Sequence, residues 1–168
     1  PGKLDDHWNS EYMKGIRRDL MAGKEIPQCQ VCNGKLLNVS IYRDYFNKTL
    51  FPNKINEAFD KTRDDGFTEM KPISFDYRIS NLCNFKCRMC GPDASTSWYK
   101  DTLEIGWSKT MDYYTDNEDF WTDVPQFIPN LEEVYFAGGE PFIQEGHYKM
   151  LTLLIESGYA KNIHISYN

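Results

Sequence analysis

The stretch ISFDYRISNLCNFKCRMC, residues 73–90, decides how the second half of the chain folds. Its first eight residues alternate apolar with polar side chains, and this period of two predicts a β-strand buried on one face. Three cysteines, Cys83, Cys87 and Cys90, follow directly in the spacing CxxxCxxC. We therefore expect a strand whose carboxyl end runs into a loop that carries three thiols.

The segments after this loop continue the alternation of helix and strand. Pro92 and Asp93 are predicted to open a helix, and residues 133–137 are predicted to form a second strand. A second helix is predicted over residues 146–157, and a third strand is predicted to begin at Ile163. Such an order indicates parallel strands joined by right-handed crossovers. The predicted fold class is α/β: a βαβαβ unit that forms the first half of a partial (β/α) TIM-like barrel. Because the chain stops inside its third strand, we expect it to be a piece of a longer protein.

Two further expectations concern the inside of this half. The helix over residues 146–157 is predicted to turn Tyr148, Leu151, Leu154 and Ile155 inward. Residues 106–130 are predicted to form a polar, aromatic-rich connector, either a solvated loop that packs its aromatic side chains or a loop that contacts substrate. Its acidic residues are Asp112, Asp116, Glu118, Asp119 and Asp123, and its aromatic residues include Tyr113, Tyr114, Phe120 and Trp121.

The residues before position 73 predict a mostly helical remnant. Asn9 or Ser10 can cap a helix that runs to about Ala22, and a second helix is predicted over residues 53–63. The expected apolar stripes are Tyr12, Ile16 and Leu20 on the first helix, and Ile55, Phe59 and Thr62 on the second.

Composition narrows the class of protein. The chain has 168 residues, 40% of them hydrophobic and 26% charged, with a formal net charge of −6. No apolar run reaches the roughly 20 residues of a membrane span. The negative net charge argues against a protein that binds nucleic acid mainly through contacts to its phosphates. Five cysteines cannot all pair within one chain, and their clustering is typical of metal or redox chemistry in a cytoplasmic protein.

The cysteine triplet admits two kinds of site. Structural zinc takes four ligands, so three thiolates leave it one ligand short unless another residue contributes. A 4Fe-4S cluster also takes cysteine thiolates, and three of them leave one iron open to a substrate or cofactor. A catalytic cluster is the first interpretation, and a non-catalytic iron–sulfur or zinc-binding interaction module is the alternative.

The triplet and a second motif together resemble the radical S-adenosylmethionine (radical SAM) enzymes. Residues 81–90 are similar to the cluster loop of that superfamily, with Met89 where members often carry an aromatic side chain. The sequence YFAGGEP, residues 135–141, resembles the family's GGEP motif, which contacts the amino group of S-adenosylmethionine. Two glycines permit close backbone approach and unusual φ angles, and proline stiffens the exit from the turn.

The resemblance implies both cofactors and a reaction. Cys83, Cys87 and Cys90 would hold the 4Fe-4S cluster, while Met89, Gly138, Gly139, Glu140 and Pro141 would contact S-adenosylmethionine. In this family the cluster cleaves that cofactor reductively, and the resulting 5′-deoxyadenosyl radical abstracts hydrogen from a substrate. The substrate class implied is a peptide or small molecule, and the electron donor is a protein such as flavodoxin or ferredoxin. Lys86 and Arg88 are expected to raise the cluster's potential by their charge.

The pair Cys29 and Cys32 resembles part of an auxiliary-cluster module. Together with residues 8–13 and the Ile16-Arg17 pair, it is similar to the twitch domain of some radical SAM proteins. The resemblance implies a truncated twitch-like segment over residues 1–35, a helical linker over 36–72 and the N-terminal half of the barrel over 73–168. Cys29 and Cys32 would be two ligands of an auxiliary iron–sulfur cluster, and the fragment alone is expected to be inactive.

Overall fold

The computed structural model describes residues 3–30, 44–78, 80–106 and 118–168. The chain divides into two compact units, Pro1–Lys71 and Pro72–Asn168, called here the first and the second unit. Among the described helices, none is both long and apolar enough to cross a membrane.

The second unit is built on a sheet of three parallel strands. These are β1 (Ser74–Arg78), β2 (Glu133–Ala137) and β3 (His164–Tyr167), in the order β1-β2-β3. Residue Phe75 pairs with Val134, which pairs with Ile165, so the three strands share one register. The predicted α/β class and the parallel order are confirmed, and β2 has the predicted bounds.

The register gives the sheet one apolar and one polar face. The apolar face packs Tyr77 against Phe120 and Phe75 against Phe127, at ring-centroid distances of 5.4 Å and 5.9 Å. The polar face carries Ser74, Asp76, Arg78, Glu133, Tyr135, His164 and Ser166. All-parallel sheets covered on both faces have continuous apolar strands. These strands alternate apolar and polar side chains instead, so the sheet has one polar face.

The described residues of the second unit form three helices: α4 (Tyr99–Glu104), α5 (Glu118–Asp123) and α6 (Glu145–Glu156). Short 3-10 turns accompany them at Thr96–Trp98, Val124–Gln126, Ile128–Asn130, Pro141–Ile143 and Ala160–Asn162. The prediction that Pro92 and Asp93 open a helix is wrong, because a turn occupies these positions and helical structure begins at Thr96.

The connector predicted over residues 106–130 contributes to the core. Residues 107–117, including Asp112, Asp116, Tyr113 and Tyr114, lie outside the described residues. Helix α5 begins at Glu118, and Phe120 and even Asp123 are buried in it. The prediction of a polar connector is therefore wrong for residues 118–130, since the turns after α5 also bury Val124, Phe127 and Ile128.

The inward face of α6 differs from the predicted one. His147, Met150 and Leu154 are fully buried, whereas Tyr148 and Ile155 are exposed. Because nearly every residue from 150 to 155 is apolar, two adjacent helix faces satisfy the period of 3.6 equally well. The sheet selects the face on which His147 stacks edge-on against Phe136, with ring centroids 4.8 Å apart.

The first unit contains α1 (Leu4–Trp8), α2 (Glu11–Met21) and α3 (Lys54–Asp60), with a 3-10 turn at Pro27–Cys29 and a π-helical turn at Phe46–Leu50. The predicted cap is confirmed, since the Ser10 hydroxyl accepts a hydrogen bond from the Met13 N–H. The predicted apolar stripes are wrong as buried faces: Tyr12 and Leu20 are exposed, and Phe59 is 61% exposed.

Polar contacts hold the first unit together instead. The Arg17 guanidinium lies over the Trp8 ring and donates to the Trp8 carbonyl at 2.6 Å and the Gly66 carbonyl at 3.2 Å. The Asn9 side-chain amide exchanges two hydrogen bonds with the Thr68 backbone, at 3.0 and 3.1 Å. This network ties the start of the chain to residues 66–68.

Candidate functional site

The two motifs meet at the carboxyl edge of the sheet. Arg78 ends β1 and pairs with Ala137 at the end of β2. Backbone pairing then continues beyond the strands: the Gly139 N–H donates to the Ser80 carbonyl at 2.7 Å, and the Glu140 N–H donates to the Leu82 carbonyl at 2.9 Å. The loop after β1, residues 80–95, is called here the cysteine loop, and residues 138–141 are called the GGEP loop. Each loop is thus bonded directly to the other.

The two glycines of the GGEP loop have separate structural roles. Gly138 has φ of +100°, a conformation that side chains with a Cβ disfavour. Gly139 lies against the cysteine loop, where a Cβ would sit 2.6 Å from the Leu82 carbonyl carbon and 2.8 Å from that of Asn81. The expectation that these glycines permit unusual φ and close approach is confirmed, one role for each residue.

The remainder of the GGEP loop begins a short turn. The Glu140 carboxylate accepts a hydrogen bond from the Phe142 N–H at 3.2 Å and so caps the 3-10 turn Pro141–Ile143. Pro141 is buried at the first position of this turn, and its ring fixes the direction of the chain. Glu140 is half-buried.

Three hydroxyl side chains on one short segment hold the cysteine loop. The Ser97 hydroxyl donates to the Cys83 carbonyl at 2.7 Å, and the Thr96 hydroxyl accepts from the Cys83 N–H at 3.2 Å. The buried Ser95 hydroxyl donates to the Phe85 carbonyl at 2.7 Å. Sequence reasoning missed these residues, although the consecutive Ser-Thr-Ser is a signal for side chains that bond to backbone.

Asn81 joins the beginning of the cysteine loop to its end. Its buried side-chain amide donates to the Pro92 carbonyl at 2.9 Å and to the Tyr99 hydroxyl at 2.6 Å. The Asn81 carbonyl accepts from the Thr96 N–H at 2.9 Å. The three thiols therefore lie on a loop that is closed on itself by polar contacts.

The Cys90 thiol interacts with the thiols of Cys87 and Cys83, and the three thiols differ in exposure. Cys83 and Cys90 are half-buried and Cys87 is exposed, and the Phe85 N–H donates to the Cys83 sulfur at 3.4 Å. Burial, followed by the charges of Cys87 and Cys83, raises the pKa of the Cys90 thiol. Repulsion among nearby thiolates is what a bound metal centre relieves, because metal ligands must be deprotonated.

The donor set is chemically suited to an iron–sulfur cluster. Among the described residues, no group of three or more His, Cys, Asp or Glu side chains is placed so that it could hold a metal ion, and the cysteine triplet is no exception. Cluster ligation requires cysteine thiolates, and N–H donors directed at their sulfurs tune the cluster. Cys83, Cys87, Cys90 and the Phe85 N–H supply both.

The charge of Lys86 is paired within the protein. Its ammonium lies 2.5 Å from the Asp101 carboxylate on α4 and 5.5 Å from the centre of the Trp98 ring. The Lys86 ammonium holds the pKa of the Asp101 carboxyl below its usual range. The expectation that Lys86 adds net charge beside the thiols therefore needs correction, since Asp101 compensates that charge; Arg88 is exposed.

Several exposed apolar side chains lie on the cysteine loop or directly after the GGEP loop. Met89 is 99% exposed, and Leu82, Phe85, Phe142 and Ile143 are also exposed. Met89 is thus accessible to solvent on the cysteine loop, and its contact with a cofactor stays a prediction.

The second cysteine pair is described only in part. Cys29 ends the 3-10 turn Pro27–Cys29 in the first unit and is half-buried beside the buried Ile26. Cys32 lies outside the described residues. The auxiliary cluster stays a prediction.

A buried histidine lies behind the GGEP loop. His147 is 1% exposed, and its Nε2 lies 3.0 Å from the Tyr167 hydroxyl. Its Nδ1 has no hydrogen-bond partner among the described residues. Burial lowers the pKa of His147, and the nearby charge of Glu140 opposes this in part. The imidazole is therefore held neutral as part of the core.

Comparisons of the chain with protein-family models, with curated proteins and with solved structures find no match.

Proposed function

We propose that this chain carries the catalytic site of a radical SAM enzyme, with a 4Fe-4S cluster on Cys83, Cys87 and Cys90. The observation that carries the proposal is the direct bonding of the cysteine loop to the GGEP loop. Gly139 and Glu140 donate to the carbonyls of Ser80 and Leu82, immediately before the first cysteine. S-adenosylmethionine held by both the cluster and the GGEP loop would require the two loops to lie this close together.

The protein's part in cluster binding follows from the cysteine loop. Thr96 and Ser97 fix the backbone of Cys83, and Asn81 closes the loop, so the thiols are presented together. The Phe85 N–H donates to the Cys83 sulfur, and a hydrogen bond to a ligand sulfur would tune a cluster bound there. When bound, the cluster and S-adenosylmethionine supply an electron and the 5′-deoxyadenosyl radical that abstracts hydrogen from the substrate.

The GGEP loop is proposed to hold the amino group of S-adenosylmethionine. Carbonyl and carboxylate oxygens accept hydrogen bonds from an ammonium group, and the loop offers both at Gly138, Gly139 and Glu140. Pro141 keeps these acceptors in place by fixing the exit of the loop. The exposed thioether of Met89 is proposed to pack against the adenine ring.

The polar face of the sheet is proposed to line the inside of a partial TIM-like barrel. Active sites of such barrels lie at the carboxyl ends of the strands, which is where both loops lie. Asp76 and Arg78 form an ion pair of 3.1 Å on this face, and Glu133 accepts a hydrogen bond from the Ser74 hydroxyl at 2.7 Å. A polar face suits a peptide or another polar small molecule as substrate, with flavodoxin or ferredoxin as electron donor.

Anaerobic reconstitution with iron and sulfide tests the proposal. We expect about four irons on the cysteine triplet, and an absorption and EPR spectrum that shifts when S-adenosylmethionine is added. Cys83→Ser should lose the spectral shift, whereas Cys29→Ser, in the first unit, should keep it. Binding of one zinc per chain without iron uptake would favour the non-catalytic interaction module.

A further inference from the structure

Gln144 is a buried polar residue that the motifs do not include. It is 3% exposed and lies between the 3-10 turn Pro141–Ile143 and helix α6. At the N-cap of α6 its side chain could satisfy the free N–H groups of the helix, yet it makes no such bond. The side chain is directed toward the two loops of the proposed site instead.

The Gln144 amide contacts both loops. Its Nε2 donates to the Leu82 carbonyl of the cysteine loop at 3.0 Å and to the Glu140 carbonyl of the GGEP loop at 3.2 Å. Its Oε1 accepts from the Ser80 hydroxyl at 2.8 Å. Each of the two amide hydrogens is therefore donated to a backbone carbonyl, one in the cysteine loop and the other in the GGEP loop.

These contacts close a ring around the residue that precedes Cys83. The Leu82 N–H donates to the Ser80 hydroxyl at 3.1 Å, this hydroxyl donates to Gln144, and Gln144 donates back to the Leu82 carbonyl. The orientation of the amide is fixed, because the opposite one would place Oε1 against two carbonyl oxygens. The side chain of Ser80 therefore binds the Leu82 N–H, and the side chain of Gln144 binds the Leu82 carbonyl.

We infer that Gln144 is a positioning residue that sets the spacing between the cysteine loop and the GGEP loop. The inference rests on the proposed function, because the spacing matters to a ligand that touches both loops. It predicts that loss of the amide weakens the binding of S-adenosylmethionine while the cysteines, which Gln144 does not contact, still take up the cluster.

Two substitutions that keep a side chain of similar size distinguish the effect of the Gln144 hydrogen bonds from the effect of its packing. Gln144→Glu keeps an acceptor for the Ser80 hydroxyl but turns an oxygen toward the carbonyls of Leu82 and Glu140. Gln144→Met keeps the volume and removes all three bonds. Thr152→Glu is the matched control, because it adds the same charge at an exposed position of α6.

The first measurement needs no cofactor. Hydrogen exchange of the Glu140 N–H in the metal-free protein should be about tenfold faster in Gln144→Met, which corresponds to about 1.4 kcal/mol, and unchanged in Thr152→Glu. Exchange at the wild-type rate in Gln144→Met would overturn the inference, whether or not the proposed function holds. If either Gln144 variant fails to fold, Ser80→Ala, which removes only the bridging hydroxyl, should show a smaller increase in the same rate.

The second measurement uses the reconstituted protein and S-adenosylmethionine. Gln144→Glu should keep the wild-type iron content and show a dissociation constant at least tenfold higher, read from the spectral shift, whereas Thr152→Glu should stay within twofold. A wild-type dissociation constant in both Gln144 variants refutes the positioning role. A wild-type protein that takes up no iron refutes the proposed function, and the exchange experiment then still decides whether Gln144 holds the loops.

Discussion

The substitution Gly139→Ala tests the contact between the two loops by steric means alone. Gly139 does not have a positive φ, so the added methyl group changes no backbone preference there. The new Cβ would lie 2.6 Å from the Leu82 carbonyl carbon and 2.8 Å from the Asn81 carbonyl carbon, and closer still to the Leu82 oxygen. These atoms belong to the backbone of the cysteine loop and cannot move away cheaply, so the loops must separate.

The expected cost has two parts. Forcing a methyl group into a closed contact costs about 1–3 kcal/mol. Separation also weakens the bonds from the Gly139 and Glu140 N–H groups, at 2.7 and 2.9 Å, each worth about 1 kcal/mol. We expect the free energy of unfolding to fall by about 3–5 kcal/mol in total. A domain is stable by about 5–15 kcal/mol, so the variant should still fold.

Gly158→Ala provides the matched control within the same unit. Gly158 has φ of +77° and nothing within 4 Å of its ideal Cβ position. The same methyl group there costs only the unfavourable left-handed conformation, about 1–2 kcal/mol.

Urea unfolding of the metal-free proteins, with hydrogen exchange of the residue 140 N–H, measures both effects. Gly139→Ala should lower the unfolding free energy by more than Gly158→Ala and should alone accelerate exchange at residue 140. If Gly139→Ala costs no more than Gly158→Ala and leaves that exchange unchanged, the two loops do not touch as described.

Three further predictions concern other contacts. Because burial lowers the pKa of His147, the unfolded chain binds a proton more readily, so stability should fall as pH drops below about 6.5. His147→Phe should flatten this decline in urea midpoints between pH 7 and 5. Asp101→Asn should leave the urea midpoint nearly unchanged, since the pair with Lys86 is half exposed, and raise the cluster potential measured by redox titration. Arg17→Lys should cost the first unit about 1–3 kcal/mol in urea unfolding, because lysine cannot both stack on Trp8 and donate to several carbonyls.

Each of these has a clear contrary result. An undiminished pH dependence in His147→Phe would assign the decline to other groups. An unchanged cluster potential in Asp101→Asn would mean that the charge of Lys86 does not reach the cluster. A wild-type urea midpoint in Arg17→Lys would mean that its charge alone suffices and that the planar guanidinium contacts are dispensable.

The sheet could be predicted from the sequence because large apolar side chains recur at every second position of its strands. Phe75 and Tyr77 share one face with Val134 and Phe136, while Tyr135 and Ala137 lie on the other, and a register shift of one residue would exchange the two faces. The roles of Gly138 and Gly139 were also predictable, since a turn that departs from a strand next to another loop needs glycine for φ or for space.

The core segment after residue 117 was missed for a physical reason. Phe120, Val124, Phe127 and Ile128 follow a helical period and are all buried, but Pro125 and Pro129 interrupt the pattern. Proline does not continue an α-helix, so the segment reads as a connector. In the structure each proline is the second residue of a 3-10 turn instead, and the apolar residue that begins each turn is buried.

Gln144 could not have been found by periodicity. It is a single polar residue beside an apolar turn, and its partner Leu82 lies 62 positions away in the chain. Local patterns carry information about neighbours along one helix or strand, whereas this contact exists only because parallel pairing brings two loops together. Buried polar residues next to a motif are therefore informative once the topology is known.

The contact between the loops also bears on the choice between an enzyme and a non-catalytic metal module. A structural metal site is complete when its own ligands surround the metal, so it gains nothing from a second loop bonded to the residue before its first cysteine. Here the Leu82 carbonyl accepts from both Glu140 and Gln144, and Gly139 leaves room for that approach. Such an arrangement is useful when a third group must touch both loops at once. A cofactor shared between the loops is our proposal for this arrangement, and the spectral response to S-adenosylmethionine is the measurement on which the choice depends.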